Sequence, residues 1–334
     1  MARGAGRFLL WHVAQPAGYF AVYGCAVSAE FSVLLAAARR DATVQPNRRY
    51  PSLPLDGYRE QKLFHQINLD YPGLQLVHEQ PYIFVVNSFL SPAECEVLKR
   101  KARGMTPQQS FQPMPIDGFG VRSSRGRVLH VEETPLWRER VSRLTNTLEG
   151  QLEPLKVSMY GRGASFGMHE DSLLGPGAGS DPKDWNGDRP RVAEGFAECP
   201  FPGANRICTL LVYLNTVESG GRTRWRWLKQ DGGEFYSTPP RPLDKRSRRW
   251  TNEPDDSTAV NIAPERGMAV LHFPATTPET GGFPDRNSAH EAEEAGETKL
   301  VAQQFIYSHP IEFDALPPDA LPPRGSKPDL SCVL

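Results

Sequence analysis

Cysteine is scarce and scattered, with five in 334 residues (Cys25, Cys95, Cys199, Cys208, Cys332) and no Cys-x-x-Cys pair. A structural zinc module needs closely spaced thiolates, so that class is excluded. Cys199 and Cys208 are near enough in sequence to bridge in an oxidising compartment; two buried thiols is the plainer reading. An excess of one charge is lacking too. Lys and Arg total 38 against 39 Asp and Glu, for a net charge of −1. This removes the case for a general nucleic-acid or anionic-membrane binder. There is no Asn-X-Ser/Thr sequon, so glycosylation gives no support for secretion. Nor is there a long apolar run: the stretch from Gly18 to Ala29 meets Glu30 and then Arg39-Arg40 before the ~20 residues of a membrane span. Arg3 and Arg7 ahead of that stretch, and Ala-Val-Ser-Ala at its end, fit a cleaved secretory signal. That favours the endoplasmic reticulum and secretory pathway. A transit peptide also fits the acid-free first 29 residues, and a cytoplasmic chain stays open. Any membrane association would come through this segment alone.

What is present points to strands. The 31 prolines and 29 glycines imply many turns, and a hydrophobic fraction of 39% still allows a real core. Residues 1–37 read as a targeting or anchor segment and 38–79 as a linker or irregular lead-in. The folded domain is expected over 80–310, starting near Gln80, and 311–334 as an extended tail in which Asp-Ala-Leu-Pro-Pro occurs twice in tandem. Tyr82 to Val86 is β-prone. Ser91-Pro-Ala-Glu94 carries an N-cap, a proline at the first helical position and a capping-box glutamate, with Cys95, Leu98 and Ala102 on one face of the helix that follows. A second helix starts at Thr134-Pro135 with its stripe on Trp137, Val141, Leu144, Leu148 and Leu152. The period then changes to two at Leu155, Val157 and Met159. Three further strands are expected at Ile207–Leu214, Met268–Phe273 and Lys299–Ser308. Two polar insertions, near 172–204 and 227–258, interrupt them, the second with the basic cluster Lys245-Arg-Ser-Arg-Arg249. The fold class is mainly β with flanking helices.

His169-Glu170-Asp171 follows the strand that ends at Tyr160. On extended backbone, residues i and i+2 share a side, so His169 and Asp171 can hold one metal while Glu170 faces away. One distant histidine would complete a set of two imidazoles and one carboxylate, the facial triad of non-haem Fe(II), which leaves three positions open. Three of the eight histidines compete. His290 directly precedes a strand that opens with Lys299, a fixed cation of the kind a dicarboxylate needs. His272 lies inside an apolar strand and reads as structural. His309 follows the last strand.

Several blocks, in order over about residues 80–310, resemble the catalytic domain of the prolyl 4-hydroxylase alpha-subunit family, within the iron(II)/2-oxoglutarate oxygenase superfamily. They are Asn87-Ser-Phe-Leu-Ser-Pro-Ala-Glu-Cys95, Val121-Arg-Ser-Ser124, Leu155 to Asp171 with Tyr160-Gly-Arg-Gly163, Thr209-Leu-Leu-Val-Tyr-Leu214 with Gly220-Gly-Arg-Thr223, and Pro264 to Phe273. The resemblance implies a double-stranded β-helix, or jelly roll, with iron at its mouth. It selects His290 beside His169 and Asp171 as the metal ligands and gives Lys299 to 2-oxoglutarate. Tyr160, Tyr213 and, more weakly, Thr209 would line the co-substrate pocket, and Arg122 and Ser124 would meet substrate. It implies Fe(2+), with 2-oxoglutarate and O2 as co-substrates, hydroxylation of a C–H bond in a proline-containing peptide or protein, and release of succinate and CO2. A need for L-ascorbate would follow from the family alone. Aspartate at 171 argues for hydroxylation over halogenation. The chain departs from the pattern in the long interval between His169 and His290, in Lys299 lying one residue nearer the distal histidine, and in Phe305 where a tryptophan is common. These put the substrate in doubt. The same chemistry on another residue or a small molecule is one alternative, and a non-catalytic jelly-roll binding protein is another.

Overall fold

Eight strands are divided between two antiparallel sheets: β5 (Leu155–Tyr160), β6 (Phe166–His169), β7 (Arg206–Tyr213), β8 (Thr223–Lys229), β9 (Ala259–Ile262), β10 (Ala269–His272), β11 (His290–Ala292) and β12 (Lys299–Tyr307). One sheet holds the run β10-β7-β12-β5 and the other is β6-β11-β8-β9, so the chain changes sheet at every step but that from β8 to β9. That order is a jelly roll. The larger sheet is extended by β1 (Leu74–Glu79) and β2 (Tyr82–Val86) beyond β10, and by β4 (Arg125–Leu129) and β3 (Gln112–Pro113) beyond β5. A computed structural model describes residues 44–61, 65–103, 112–113, 122–172, 205–229, 259–275 and 285–311. The expected targeting segment, the tail, the basic cluster 245–249 and Cys25, Cys199 and Cys332 lie outside them. Among the described residues no helix is long and apolar enough to cross a membrane.

The large sheet is buried on both faces, and strand alternation sorts its side chains. Leu155, Val157, Cys208, Leu210, Val212, Ala269, Leu271, Leu300, Ala302 and Ile306 face outward into one core. Tyr160, Leu211, Tyr213, Val270 and Val301 face inward to a second core between the sheets. The outer face is covered by α1 (Asp56–Glu60), α2 (Pro92–Arg103) and α3 (Pro135–Thr145). Each fully buried aliphatic or aromatic side chain there contributes about 1.5–3 kcal/mol. Both sequence-marked helix starts are in place. At α2, Ser91 N–H donates to Glu94 Oε2 at 2.7 Å and Glu94 N–H to Ser91 Oγ at 3.2 Å, a complete capping box. Arg140 of α3 then donates to Glu94 at 2.7 Å and to the Phe89 carbonyl at 2.6 Å, tying the two helices together. Trp137 Nε1 donates to Gln304 Oε1 at 2.9 Å, which satisfies the one amide side chain that β12 turns toward the helices.

Three expectations are corrected. The second helix ends at Thr145 rather than carrying its stripe through Leu148 and Leu152. Asn146 adopts a left-handed conformation (φ 51°) and its N–H closes on the Ser142 carbonyl, so Leu148 is left exposed. The ordered part does not start near Gln80: β1 precedes it, and residues 44–61 pack on the sheet. The described residues of the 38–79 stretch show no period because, apart from α1 and β1, they are coil held by aromatic anchors. Tyr58 is fully buried against Tyr82, Phe84 and Phe273. Gln75 Nε2 donates to the carbonyls of Tyr50 and Pro51 at 2.9 and 2.8 Å. Finally, β8 runs through Lys229, so the second insertion begins later than 227. Cys95 and Cys208 are free, buried thiols.

Candidate metal centre

β6 and β11 are neighbours in the smaller sheet, and their register places His290 directly opposite His169. Asp171 follows two residues after His169. The two rings lie 4.5 Å apart, and one donor atom from each of His169, Asp171 and His290 falls within 4.8 Å of the others. All three residues are buried. His169 Nδ1 is 2.8 Å from the Gly167 carbonyl and His290 Nδ1 3.0 Å from the Ser288 carbonyl. Each Nδ1 can only donate there, so in the neutral ring the lone pair sits on Nε2, aimed at the carboxylate. Burial holds both imidazoles below their ordinary pKa, against the pull of Asp171. Burial would raise the Asp171 carboxyl, but His290, His272 and His169 outweigh it and hold it below the usual range. The result is a buried carboxylate beside two converging imidazole Nε2 atoms, with Oδ2 of Asp171 lacking a hydrogen-bond partner among the described residues. This donor set suits a divalent transition metal.

The walls are built by neighbouring strands. Phe166 stacks on His169 at 3.7 Å, and Trp225 of β8 stacks on His290 at 5.5 Å. Arg206, at the start of β7, lies 3.7 Å from the centre of the Phe305 ring and donates through Nε to Glu153 Oε1 at 2.6 Å, with Nη1 3.4 Å from the Asp171 carbonyl. His272, read from the sequence as structural, stands in the site: its Nε2 is 3.4 Å from Asp171 Oδ2 and its ring 4.6 Å from that of His290. The sequence signal for it was only its inward parity on β10, shared with Val270. His309 lies beyond the end of β12, with Nδ1 3.0 Å from Ser308 Oγ.

The remaining residues singled out from the sequence line the inner face. Lys299 pairs across from Tyr160 on β5, and its Nζ sits 5.1 Å from the Tyr160 ring and 5.5 Å from the Tyr213 ring. Nζ donates to the Gly221 carbonyl at 2.6 Å, and burial pulls its pKa from 10.5 down to about 7. Tyr213 OH meets Thr223 Oγ1 at 2.7 Å, and burial raises the Tyr213 and Tyr160 phenols. Thr209 lies opposite both His272 and Phe305, with Oγ1 buried and lacking a hydrogen-bond partner among the described residues, as does Trp225 Nε1. Arg122 and Ser124 are buried: Arg122 donates to Ser124 Oγ at 2.7 Å and Ser158 Oγ at 3.0 Å, and its guanidinium lies over the Phe166 ring at 4.7 Å. They therefore stand behind the His169 wall.

Comparison with known proteins gives a fold-level likeness. No protein-family model matches the chain, and no curated protein matches it either. Similar solved structures include the viral collagen prolyl hydroxylase of Paramecium Bursaria Chlorella virus-1 in its 2OG complex, at 18% identity and TM-score 0.41, covering 70% of this chain and 98% of that one. A Pseudomonas putida prolyl-4-hydroxylase is 14% identical at TM-score 0.37, covering 67% and 91%. EvdO2 of Micromonospora carbonacea var. aurantiaca, complexed with 2-oxoglutarate, is 17% identical at TM-score 0.36, covering 71% and 90%. At this distance the side chains, not the likeness, carry the chemistry.

The glycine turn that presents the Gly221 carbonyl is a sensitive point. Gly220 has φ +65°, and a Cβ there would lie 2.3 Å from the Glu294 carbonyl oxygen. Gly220→Ala is expected to cost at least about 1–2 kcal/mol for the left-handed backbone alone. A thermal melt should show Tm falling by roughly 2–8 °C.

Proposed function

We propose that this chain is an iron(II)- and 2-oxoglutarate-dependent dioxygenase that hydroxylates a C–H bond, with peptidyl proline as its substrate. The observation that carries the reading is the pairing of two features: the buried His169, Asp171 and His290 donors, from β6, the residues just after it and β11 of the smaller sheet, and the buried Lys299 on β12 of the larger sheet, whose Nζ donates to the Gly221 carbonyl. When bound, the metal and 2-oxoglutarate supply O2 activation for C–H hydroxylation, with release of succinate and CO2.

His169 and His290 would hold the metal through Nε2 and Asp171 through its carboxylate. Two imidazoles and one carboxylate are the donor set that suits non-haem Fe(II). Lys299 would bind the far carboxylate. Its desolvated ammonium gains a strong charge-assisted partner, which makes it selective for a dicarboxylate over a monocarboxylate. Tyr160 and Tyr213 flank that ammonium and fix its height. Thr209 and Trp225 offer hydroxyl and indole N–H groups that nothing else in the described structure engages. The aliphatic and aromatic lining of Leu211, Val270, Val301 and Trp225 excludes water. Arg122 and Ser124 would bear on substrate by stiffening the wall beneath His169. Proline as the target rests on the sequence blocks that resemble the prolyl 4-hydroxylase alpha-subunit family.

The test is anaerobic reconstitution with Fe(II), then air, with succinate measured alongside mass spectrometry of proline-rich peptides. Succinate that disappears in His169→Ala and Lys299→Ala, with one oxygen added to a peptide, is the expected result. Succinate without peptide oxidation would keep the oxygenase and discard the proline substrate. Folded protein that binds no iron and makes no succinate would leave the jelly-roll binding protein in its place.

A further inference from the structure

The last residue of β10 is a histidine where the inward-facing pattern calls for an apolar side chain. Met268 and Val270 precede it on the same face. His272 is fully buried, lies opposite Thr209 on β7 and Ile83 on β2, and packs edge-on against Trp225 at 5.4 Å. Neither ring nitrogen has a hydrogen-bond partner among the described residues. A neutral imidazole carries one donor and one acceptor. Leaving both unmatched in a buried setting is costly. Phenylalanine would pack there without that cost, so packing alone does not account for this residue. Asp171 Oδ2, 3.4 Å from Nε2, is equally unmatched among the described residues. That distance is about half an ångström longer than a charge-assisted bond, within reach of a turn of the two side chains.

We propose that His272 is a positioning residue of the metal site, donating its Nε2–H to Oδ2 of Asp171 and so confining the carboxylate to one-oxygen coordination, while remaining outside the metal's own shell. This rests on the metal reading above. The contrast with the other two histidines decides donor against ligand. His169 and His290 each commit Nδ1–H to a backbone carbonyl two residues earlier, which fixes the lone pair on Nε2. Among the described residues His272 Nδ1 has no such acceptor, so none of them opposes the tautomer that carries hydrogen on Nε2, facing a carboxylate. Hydrogen bonds to a ligating carboxylate orient it and tune the metal, and removing one typically weakens metal binding by about 10–100-fold.

Co(II) alone, titrated into the full-length protein, is the probe. In His272→Phe the Co(II) dissociation constant is expected to rise about 10–100-fold. His272→Gln, whose amide can donate to the same oxygen, should return the constant to within about threefold of wild type. Proton NMR of the Co(II) protein gives an independent count. Each ligating imidazole contributes one strongly shifted, exchangeable N–H, so two signals are expected in wild type and in both variants. Three signals in wild type and two in His272→Phe would make His272 a ligand and overturn the proposal. So would an unchanged dissociation constant in His272→Phe, which would leave it a packing residue. Wild-type protein that binds no Co(II) would instead overturn the metal reading itself.

Discussion

Lys299→Met should weaken 2-oxoglutarate binding by about 2–5 kcal/mol, roughly thirtyfold to several thousandfold, and make the protein more stable at the same time. The two effects share one cause. Lys299 is 1% exposed, its ammonium has the Gly221 carbonyl as its hydrogen-bond acceptor, and burial draws its pKa to about 7. A group whose folded pKa lies below its unfolded value binds fewer protons in the folded state. Stability therefore rises with pH between about 7 and 10.5, and below pH 7 the buried charge costs the fold on the order of several kcal/mol. Methionine fills similar space without the charge. A bound dicarboxylate reverses the preference by pairing the ammonium, so its affinity should be greatest below pH 7. Above that it should fall by up to tenfold per pH unit until the pKa of the complex is reached. Anaerobic titrations of the metal-loaded protein between pH 6 and 9, with thermal melts of both proteins, check all of this. A flat affinity profile, or a lower Tm in Lys299→Met, would count against the assignment.

Arg206→Ala should cost about 3–5 kcal/mol of folding stability, seen as a fall in Tm of roughly 6–20 °C. Its partner Glu153 is 1% exposed, and the Nε–Oε1 bond of 2.6 Å is the contact that neutralises it. Removing the guanidinium leaves a buried carboxylate uncompensated and strips the cation from the Phe305 ring. Because Nη1 also reaches the Asp171 carbonyl, metal affinity should drop as well. Pairing the change with Glu153→Gln should recover most of the stability, since the stranded charge is gone, but not the metal affinity. Equal melts for Arg206→Ala and the double variant would show that the pair contributes nothing.

Five strands of the larger sheet, β2, β5, β7, β10 and β12, were legible, the longest because they are buried on both sides; β1, β3 and β4 were not. Arg206–Tyr213 and Lys299–Tyr307 are buried at every position, and such runs stand out at any period. The smaller sheet was not. β6, β9 and β11 have four, four and three residues, too short to set up an alternation. The stretch over 44–61, coil apart from the short α1, carries no period, and it is held by buried Tyr50 and Tyr58 and by the Gln75 amide, which only the folded chain brings together. At the site, His169 and Asp171 could be read together because they lie two residues apart. His290 needed the resemblance, since cross-strand register is not a local property. His272 was missed for the same reason: its neighbours in sequence are valine, leucine and phenylalanine, and its neighbours in space are Asp171, Trp225 and His290.

The two faces of β12 divide labour by residue number. Odd positions Lys299, Val301 and Phe305 look into the site, and even positions Leu300, Ala302, Gln304 and Ile306 look into the helices. Loss of one residue near the start of this strand would trade the two sets over its whole length. It would drive the lysine into an oily wall and aim leucine at the pocket. Point changes along β12 can thus be borne one at a time, while a single-residue deletion there would take away fold and chemistry together.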